Sequence, residues 1–274
     1  MIRTVTSWEG QEGREATRLS PWFDPFLPLF VRQAVRADGT VRVAGPADAP
    51  SGMVIDYPAE NVASIFARDP TVAEGLRSLV AGRWVFCETP FEPRGEPYRI
   101  HVTDEIPSES SHRFLHRVRV LMAAEIDSTT RLLREAFDRF DERWLRALPG
   151  GEETGFVVEV GGSPVGIAWA SVAGAHARLH SLFVSPRYRR LGIGTDLLFA
   201  RLFWARRAGA RRVLSEIAEE NRPSRAIAER GGMRPAGTIY LYAPGRTASP
   251  TPDQVRAAPQ NGQFVTVESM RDPQ

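Results

Sequence analysis

The chain has 274 residues, 42% hydrophobic and 25% charged, an ordinary globular composition that excludes collagen-like, coiled-coil and wholly disordered chains and gives a length prior of about two domains. One cysteine, Cys87, excludes an internal disulfide and a thiolate metal centre, so we expect no metal and a reducing, cytoplasmic setting. Net charge is only +2, yet every basic residue is arginine, and residues 178–234 hold 13 arginines against 5 acids, a local +8 offset by −6 elsewhere.

In chain order, residues 1–10 carry no continuous apolar run and do not read as a secretory signal, and the first twenty residues read as a loose polar arm. Trp22, Phe23, Phe26, Leu27, Leu29 and Phe30 form an apolar patch punctuated by prolines, read as an irregular packed segment. Strands are expected at 40–44, 52–57, 83–88 and 98–102, and helices at 59–67 and 71–80, together a mixed α/β unit. The polar stretch 104–112 is the best domain boundary, dividing an N-terminal domain (1–110) from a second domain (111–244).

The second domain reads as a strand at 117–122, helices at 126–139 and 142–148, and strands at 155–160, 165–172 and 177–184, with Gly161 and Gly162 as a tight hairpin turn. A helix over 194–208, a strand at 212–218, a short helix at 223–230 and a strand at 238–242 complete it. The tail 245–274, rich in Pro, Ala, Thr and Gln, reads as flexible, and no internal repeat is visible. The uncharged stretch 160–177 is broken by glycines and a proline, so no membrane span is expected.

The chemistry concentrates in H-S-L-F-V-S-P-R-Y-R-R-L-G-I-G-T-D-L-L, from His180 to Leu198: an apolar strand, a basic glycine-bearing turn, then an amphipathic helix. The first N–H groups of such a helix lack intrahelical partners and, with the helix dipole, favour an anion. Gly192 and Gly194 keep side chains out of its way, and Arg189 and Arg190 add charge. A P-loop requires a lysine that the chain lacks, and a dinucleotide fingerprint requires a third glycine where Leu197 stands.

The run Arg189-Arg-Leu-Gly192-Ile-Gly194 resembles the Arg/Gln-x-x-Gly-x-Gly/Ala signature of the GNAT superfamily of acyl-CoA-dependent N-acetyltransferases, and Asn221-Arg-Pro-Ser224 follows it by 27 residues. The similarity extends over about residues 114–243 in element order. It implies an α/β fold of the α+β, mixed-sheet kind, whose central strands, 177–184 and 212–218, splay into a V, preceded here by the smaller mixed α/β domain. It also implies acetyl-CoA as cofactor: Arg189, Arg190, Leu191, Gly192, Ile193, Gly194 and Thr195 around the pyrophosphate, Leu182, Phe183 and Val184 offering main-chain bonds to pantetheine, and Asn221 and Ser224 along the cofactor arm.

The family acylates amines, and an alkylammonium group of pKa near 10.4 is neutral only about once in a few thousand molecules at pH 7, so a base is useful. His180, in a strand similar to that of serotonin N-acetyltransferase, is the first candidate and Glu216, on the opposite arm of the V, the second. The family's usual tyrosine acid falls at Ala228, a departure that leaves Tyr240, Tyr188 or Tyr242 to substitute. The N-terminal half has no second Arg-x-x-Gly-x-Gly and reads as a degenerate counterpart or a substrate module, with Trp22, Phe23, Trp84 or Phe86 facing the acceptor. The leading reading is an acetyl-CoA-dependent N-acetyltransferase acting on a small-molecule or peptide amine, without nucleic-acid or membrane partners and with a homodimer allowed. A non-catalytic acyl-CoA-binding protein and an arginine-rich nucleic-acid binder are the alternatives, the last betrayed by steep salt dependence.

Overall fold

The computed structural model describes residues 2–5, 19–36, 39–45, 50–58, 61–91, 95–122, 125, 129, 132 and 153–244. Its twelve strands, among the described residues, are β1 (Ile2–Val5), β2 (Thr40–Ala44), β3 (Gly52–Tyr57), β4 (Val62–Ala67), β5 (Trp84–Cys87), β6 (Glu96–Thr103), β7 (Val118–Val120), β8 (Glu153–Val160), β9 (Ser163–Ala173), β10 (His176–Val184), β11 (Arg212–Ala218) and β12 (Arg234–Tyr242). The α-helices bounded at both ends among the described residues are α1 (Leu27–Arg36), α2 (Pro70–Ser78), α3 (Ile193–Arg207) and α4 (Arg222–Arg230).

All twelve strands form one mixed sheet in the order β1-β2-β3-β4-β5-β12-β6-β11-β10-β9-β8-β7. The order is a palindrome. Each half contributes four antiparallel strands, then a fifth running parallel to the fourth (β4 with β5, β10 with β11), and sends its sixth strand to pair with the other half's fifth. β6 lies antiparallel to β11 and β12 antiparallel to β5, and β6 and β12 pair with each other at the centre. The repeat that the sequence does not show is therefore present in the topology.

α3 packs on β8, β9 and β10, burying Leu197, Leu198, Leu202 and Phe203 against Val158, Ala168 and Leu179. On the opposite face one apolar cluster crosses the middle of the sheet, from Phe23, Phe26, Phe30 and Met53 through Phe86, Tyr98 and Ile239 to Leu214. Burying each such side chain contributes on the order of 1.5–3 kcal/mol, which makes the two halves one folding unit through this face.

Several sequence expectations are corrected. Residues 62–67, expected within a helix, form β4, buried on both faces between β3 and β5; a short apolar run of that kind has no decisive period, and the β-branched Val62 and Ile65 suit a strand. The patch around Trp22 is helical rather than irregular: a 3-10 turn (Asp24–Phe26) leads into α1. Its prolines, Pro25 and Pro28, occupy starting positions where a missing N–H costs little. Part of the N-terminal arm is strand, since β1 pairs with β2. β12 starts at Arg234 instead of 238, with a register shift between Pro235 and Gly237. Gly161 and Gly162 have φ of +61° and +78°, as the expected hairpin requires. The helices expected at 126–139 and 142–148, apart from Thr129 and Leu132, and the tail 245–274 lie outside the described residues. Among the described residues no helix is long and apolar enough to cross a membrane.

Candidate cofactor and acyl-transfer site

β10 and β11 pair in parallel only at His176↔Arg212, Ala177↔Val213 and Arg178↔Leu214. From Leu179 onward the two strands part, and β10 keeps its bonds to β9 while its other edge opens into the V. Within that open stretch the register against β9 slips between His180 and Phe183, so Ser181 and Leu182 bulge out of the ladder, and Ser181 takes φ +51°. A pocket open to solvent occupies the V, lined by the apolar Leu179, Leu198, Ile227 and Ala228 and also by His180, Ser181, Glu216, Asn221, Ser224 and Tyr98.

At the end of β10 a 3-10 turn (Pro186–Tyr188) leads to Arg189, Arg190 and the start of α3. Arg190 has φ +65° and Gly192, the N-cap, has φ +92°; no side chain caps the helix. The terminal amides of α3 are thus left without a side-chain acceptor beside two exposed arginines, which is what a diphosphate needs. Arg189 also folds back, donating from Nε to the Val184 carbonyl at 3.0 Å. A Cβ on Gly192 would lie 3.0 Å from Leu115, and one on Gly194 would lie 2.9 Å from Ile227, so the second glycine also sets how closely α4 approaches α3. The connector between the halves is clamped here: Asp196, almost fully buried in the first turn of α3, lies 2.8 Å from both His112 Nε2 and His116 Nδ1 and accepts the His116 N–H at 2.9 Å.

Asn221 caps α4, accepting the Ser224 N–H at 3.2 Å, and both residues line the pocket. Leu182, Phe183 and Val184 lie on the open edge of β10, and Ile193 is buried beneath the turn. His180 lines the pocket, but its side chain has no exposed surface: Nδ1 is 3.2 Å from Ser181 Oγ and Nε2 is 3.5 Å from a Glu153 carboxylate oxygen. Burial lowers the His180 pKa against the opposing pull of Glu153, so the ring is neutral at pH 7. Burial alone would raise Glu153, but His180, Gln33 and Arg178 outweigh it and hold the carboxyl below its usual range. Glu216 accepts from Arg178 Nε at 2.9 Å, deep in the V.

The structure does not bring Tyr240 to this pocket. It lies on the other face of β12, against the cluster under α2, as does Tyr242, whose hydroxyl accepts the Phe91 N–H. Tyr188 packs beside the α3 cluster without lining the pocket. The tyrosine that does line it is Tyr98, delivered from the N-terminal half by β6; burial, then Glu96 and Glu220, hold its pKa well above the ordinary value, so it keeps its proton. Nothing in the sequence showed that β6 crosses into the other half. Of the aromatics expected to face the acceptor, Phe23, Trp84 and Phe86 are core, and Trp22 lies over Gly237 of β12, where a Cβ would come within 2.8 Å of its ring.

Part of the arginine-rich window is engaged within the fold. Arg178 pairs with Glu216, and Arg201, wholly buried, donates to the carbonyls of Leu197, Trp169 and His180. Arg206, Arg207 and Arg212 tie down the connector at Ile106, Glu109 and Asp104. The counterpart of the α3 turn in the N-terminal half is closed: Asp69 caps α2 with its own carboxylate, accepting from the Thr71 and Val72 amides. Among the described residues no three His, Cys, Asp or Glu side chains gather as metal ligands.

Residues 119–233 match the model of the acetyltransferase (GNAT) family. No curated protein sequence matches the chain significantly. Among solved structures, a GNAT-family acetyltransferase of Novosphingobium aromaticivorans is 18% identical, with a TM-score of 0.55 over 70% of this chain and 89% of that one. A GCN5-related N-acetyltransferase of Sphaerobacter thermophilus is 15% identical, with a TM-score of 0.56 over 88% and 94%. A tandem GNAT protein of the clavulanic acid pathway is 13% identical, with a TM-score of 0.55 over 88% and 98%. At these identities the likeness is one of fold, and the last two share it across both halves.

Proposed function

We propose that the protein, whose residues 119–233 match the acetyltransferase (GNAT) family, transfers an acetyl group from acetyl-CoA to a primary amine of a small molecule or peptide, directly within a ternary complex. The observation that supports this most is the free edge of β10 beyond Arg178 running into the uncapped start of α3, which together fit an extended amide-bearing arm that ends in a diphosphate. Arg189, Arg190 and the amides of Gly192 to Thr195 would hold the diphosphate, the edge from Leu182 to Val184 the pantetheine, and Asn221 and Ser224 the arm between them. Acetyl-CoA supplies the activated acyl group. The chain's own part is to orient the thioester at the bulge, exclude water within the V and take a proton from the amine. Neutral His180, buried behind the pocket wall, suits the final resting place of that proton, and Tyr98 supplies a protonated hydroxyl where Ala228 leaves none.

Ala228, buried in the pocket wall, keeps a second reading in view: a protein that binds acyl-CoA without turnover. Calorimetric titration with acetyl-CoA, compared with a nucleotide lacking the pantetheine arm, followed by thiol release against a panel of amines, separates the two. Saturable binding that requires the arm and amine-dependent thiol release are expected. Binding without release for any acceptor would favour the second reading, and no binding would overturn both.

A further inference from the structure

Resting on the acetyltransferase reading, we infer that the Ser181 hydroxyl is the group that takes the proton from the acceptor amine, handing its own to His180, which Glu153 orients from behind. The geometry requires an intermediary. The His180 side chain has no exposed surface, so it cannot itself touch an acceptor in the V. Ser181 Oγ lies 3.2 Å from His180 Nδ1, and Ser181 lines the pocket. The bulge is what brings it there: with φ +51°, unusual for a residue with a side chain, Ser181 leaves the ladder against β9 at the strand edge that faces the V.

A hydroxyl can accept one proton while donating another, whereas neither an amide nor an apolar side chain at this position could do so. Donation to His180 requires Nδ1 to be bare and the ring proton to sit on Nε2. The Glu153 carboxylate, 3.5 Å from Nε2, favours that tautomer, and Gln33 of α1 steadies the carboxylate. The charged groups facing the ring are Glu153 of β8, Arg178 of β10 and Glu216 of β11: the two acids raise its basicity and the arginine lowers it. In the step, the amine nitrogen forms its bond to the acyl carbon and the C–S bond breaks, sulfur leaving with its electron pair. The amine proton passes to Oγ as the Oγ proton passes to Nδ1, so the serine is unchanged and His180 ends protonated. Ser181 is the catalytic residue; His180 and Glu153 act through it.

The test compares wild type with Ser181→Gly, chosen because a φ of +51° costs glycine nothing, so the fold is retained. With acetyl-CoA, and with butylamine and a lysine-containing tripeptide as acceptors, kcat should fall about 100-fold, the lower end for lost general base catalysis, while the Kd for acetyl-CoA stays within twofold. The kcat–pH profile of the wild type should show an inflection below the ordinary histidine value of 6.5, and Ser181→Gly should lose it. Glu153→Gln should keep the inflection but shift it to lower pH. Wild-type kcat in Ser181→Gly, or a fall in kcat with the inflection intact, overturns the relay and leaves the acetyltransferase reading standing. An acetyl adduct on Ser181 after incubation with acetyl-CoA alone overturns it in favour of a nucleophile. A wild-type protein that binds acetyl-CoA but releases no thiol with any amine of the panel overturns both.

Discussion

Arg178 Nε and Glu216 Oε1 lie 2.9 Å apart across the apex of the V, with both side chains almost wholly buried. Arg178 belongs to the last paired position of β10 and β11, and Glu216 stands two residues beyond that pairing on β11. The guanidinium also rests over the Phe30 ring of α1, its centre 5.2 Å from the centroid, so one side chain joins both arms of the V to the N-terminal half. The ion pair is a strut at the point where main-chain bonds end.

Glu216→Ala should therefore destabilise the protein by about 3–5 kcal/mol, because it leaves a buried guanidinium without its carboxylate. Adding Arg178→Met should recover part of the loss, since the double variant removes both members of the ion pair. Urea midpoints of the two single variants and the double variant decide this. Unchanged stability in Glu216→Ala with lost turnover would instead return Glu216 to the role of base.

Asp69→Ala should cost about 1 kcal/mol through loss of the cap on α2, and acetyl-CoA should still bind at one site per chain by calorimetry. The palindromic sheet supplies two equivalent helix starts, but only the one at Gly192 lies beside a parted parallel pair. β4 and β5 stay paired from Val62↔Trp84 to Ile65↔Cys87. A second equivalent of bound acetyl-CoA would show that the N-terminal half retains a working site.

Gly192→Val should weaken acetyl-CoA binding at least tenfold and cost stability. A β-branched residue at φ +92° is strained, and its Cβ would lie 3.0 Å from Leu115 in the connector. Calorimetry and thermal unfolding of the variant test both effects, and unaltered affinity would place the diphosphate elsewhere.

Most of the second half was legible because its signals are local. The turn from Arg189 to Gly194 and the twin glycines of the hairpin each fix their own backbone, and the strands and helices of this half that the structure describes lie within a few residues of their expected bounds. What stayed hidden depends on contacts distant in sequence. Tyr98 reaches the V only because β6 crosses to pair with β11, and the exchange of β6 and β12 leaves no mark on either strand's alternation. β4 resembles a helix in sequence because a strand buried on both faces loses its period of two. His180 was legible as a residue but not its surroundings, in which Glu153 of β8 faces the ring and Gln33 of α1 steadies Glu153.

Glu88 makes stability depend on pH. Burial pushes its carboxyl up from 4.5 to about 7; Ser20 opposes the shift, and Asp24 and Glu216 add to it. The folded state thus binds the proton more tightly than the unfolded chain, so this contribution is full below about pH 4.5 and is lost as pH rises through 7. Relative to Glu88→Gln, the wild type should lose up to roughly 3 kcal/mol between about pH 5 and pH 8.5. Parallel unfolding midpoints for both proteins would refute this reading of Glu88.

Arg201 is the last case, a guanidinium buried under α3 with carbonyls in place of a carboxylate. Burial drops its pKa to about 9, still above neutrality, so it remains a cation inside the fold. Its NH1 donates at 3.2 Å to the carbonyls of both Trp169 and His180, the last regular pair before the bulge at Ser181. Those bonds fix the strand pair immediately before the bulge, and so the backbone that leads into Ser181. Arg201→Ala should destabilise by about 2–4 kcal/mol, from lost charged hydrogen bonds and the space left behind. It should also lower kcat more than it raises KM for acetyl-CoA, because the start of α3 and its turn stay intact. A variant that loses stability but keeps kcat in its folded fraction would reduce Arg201 to packing alone.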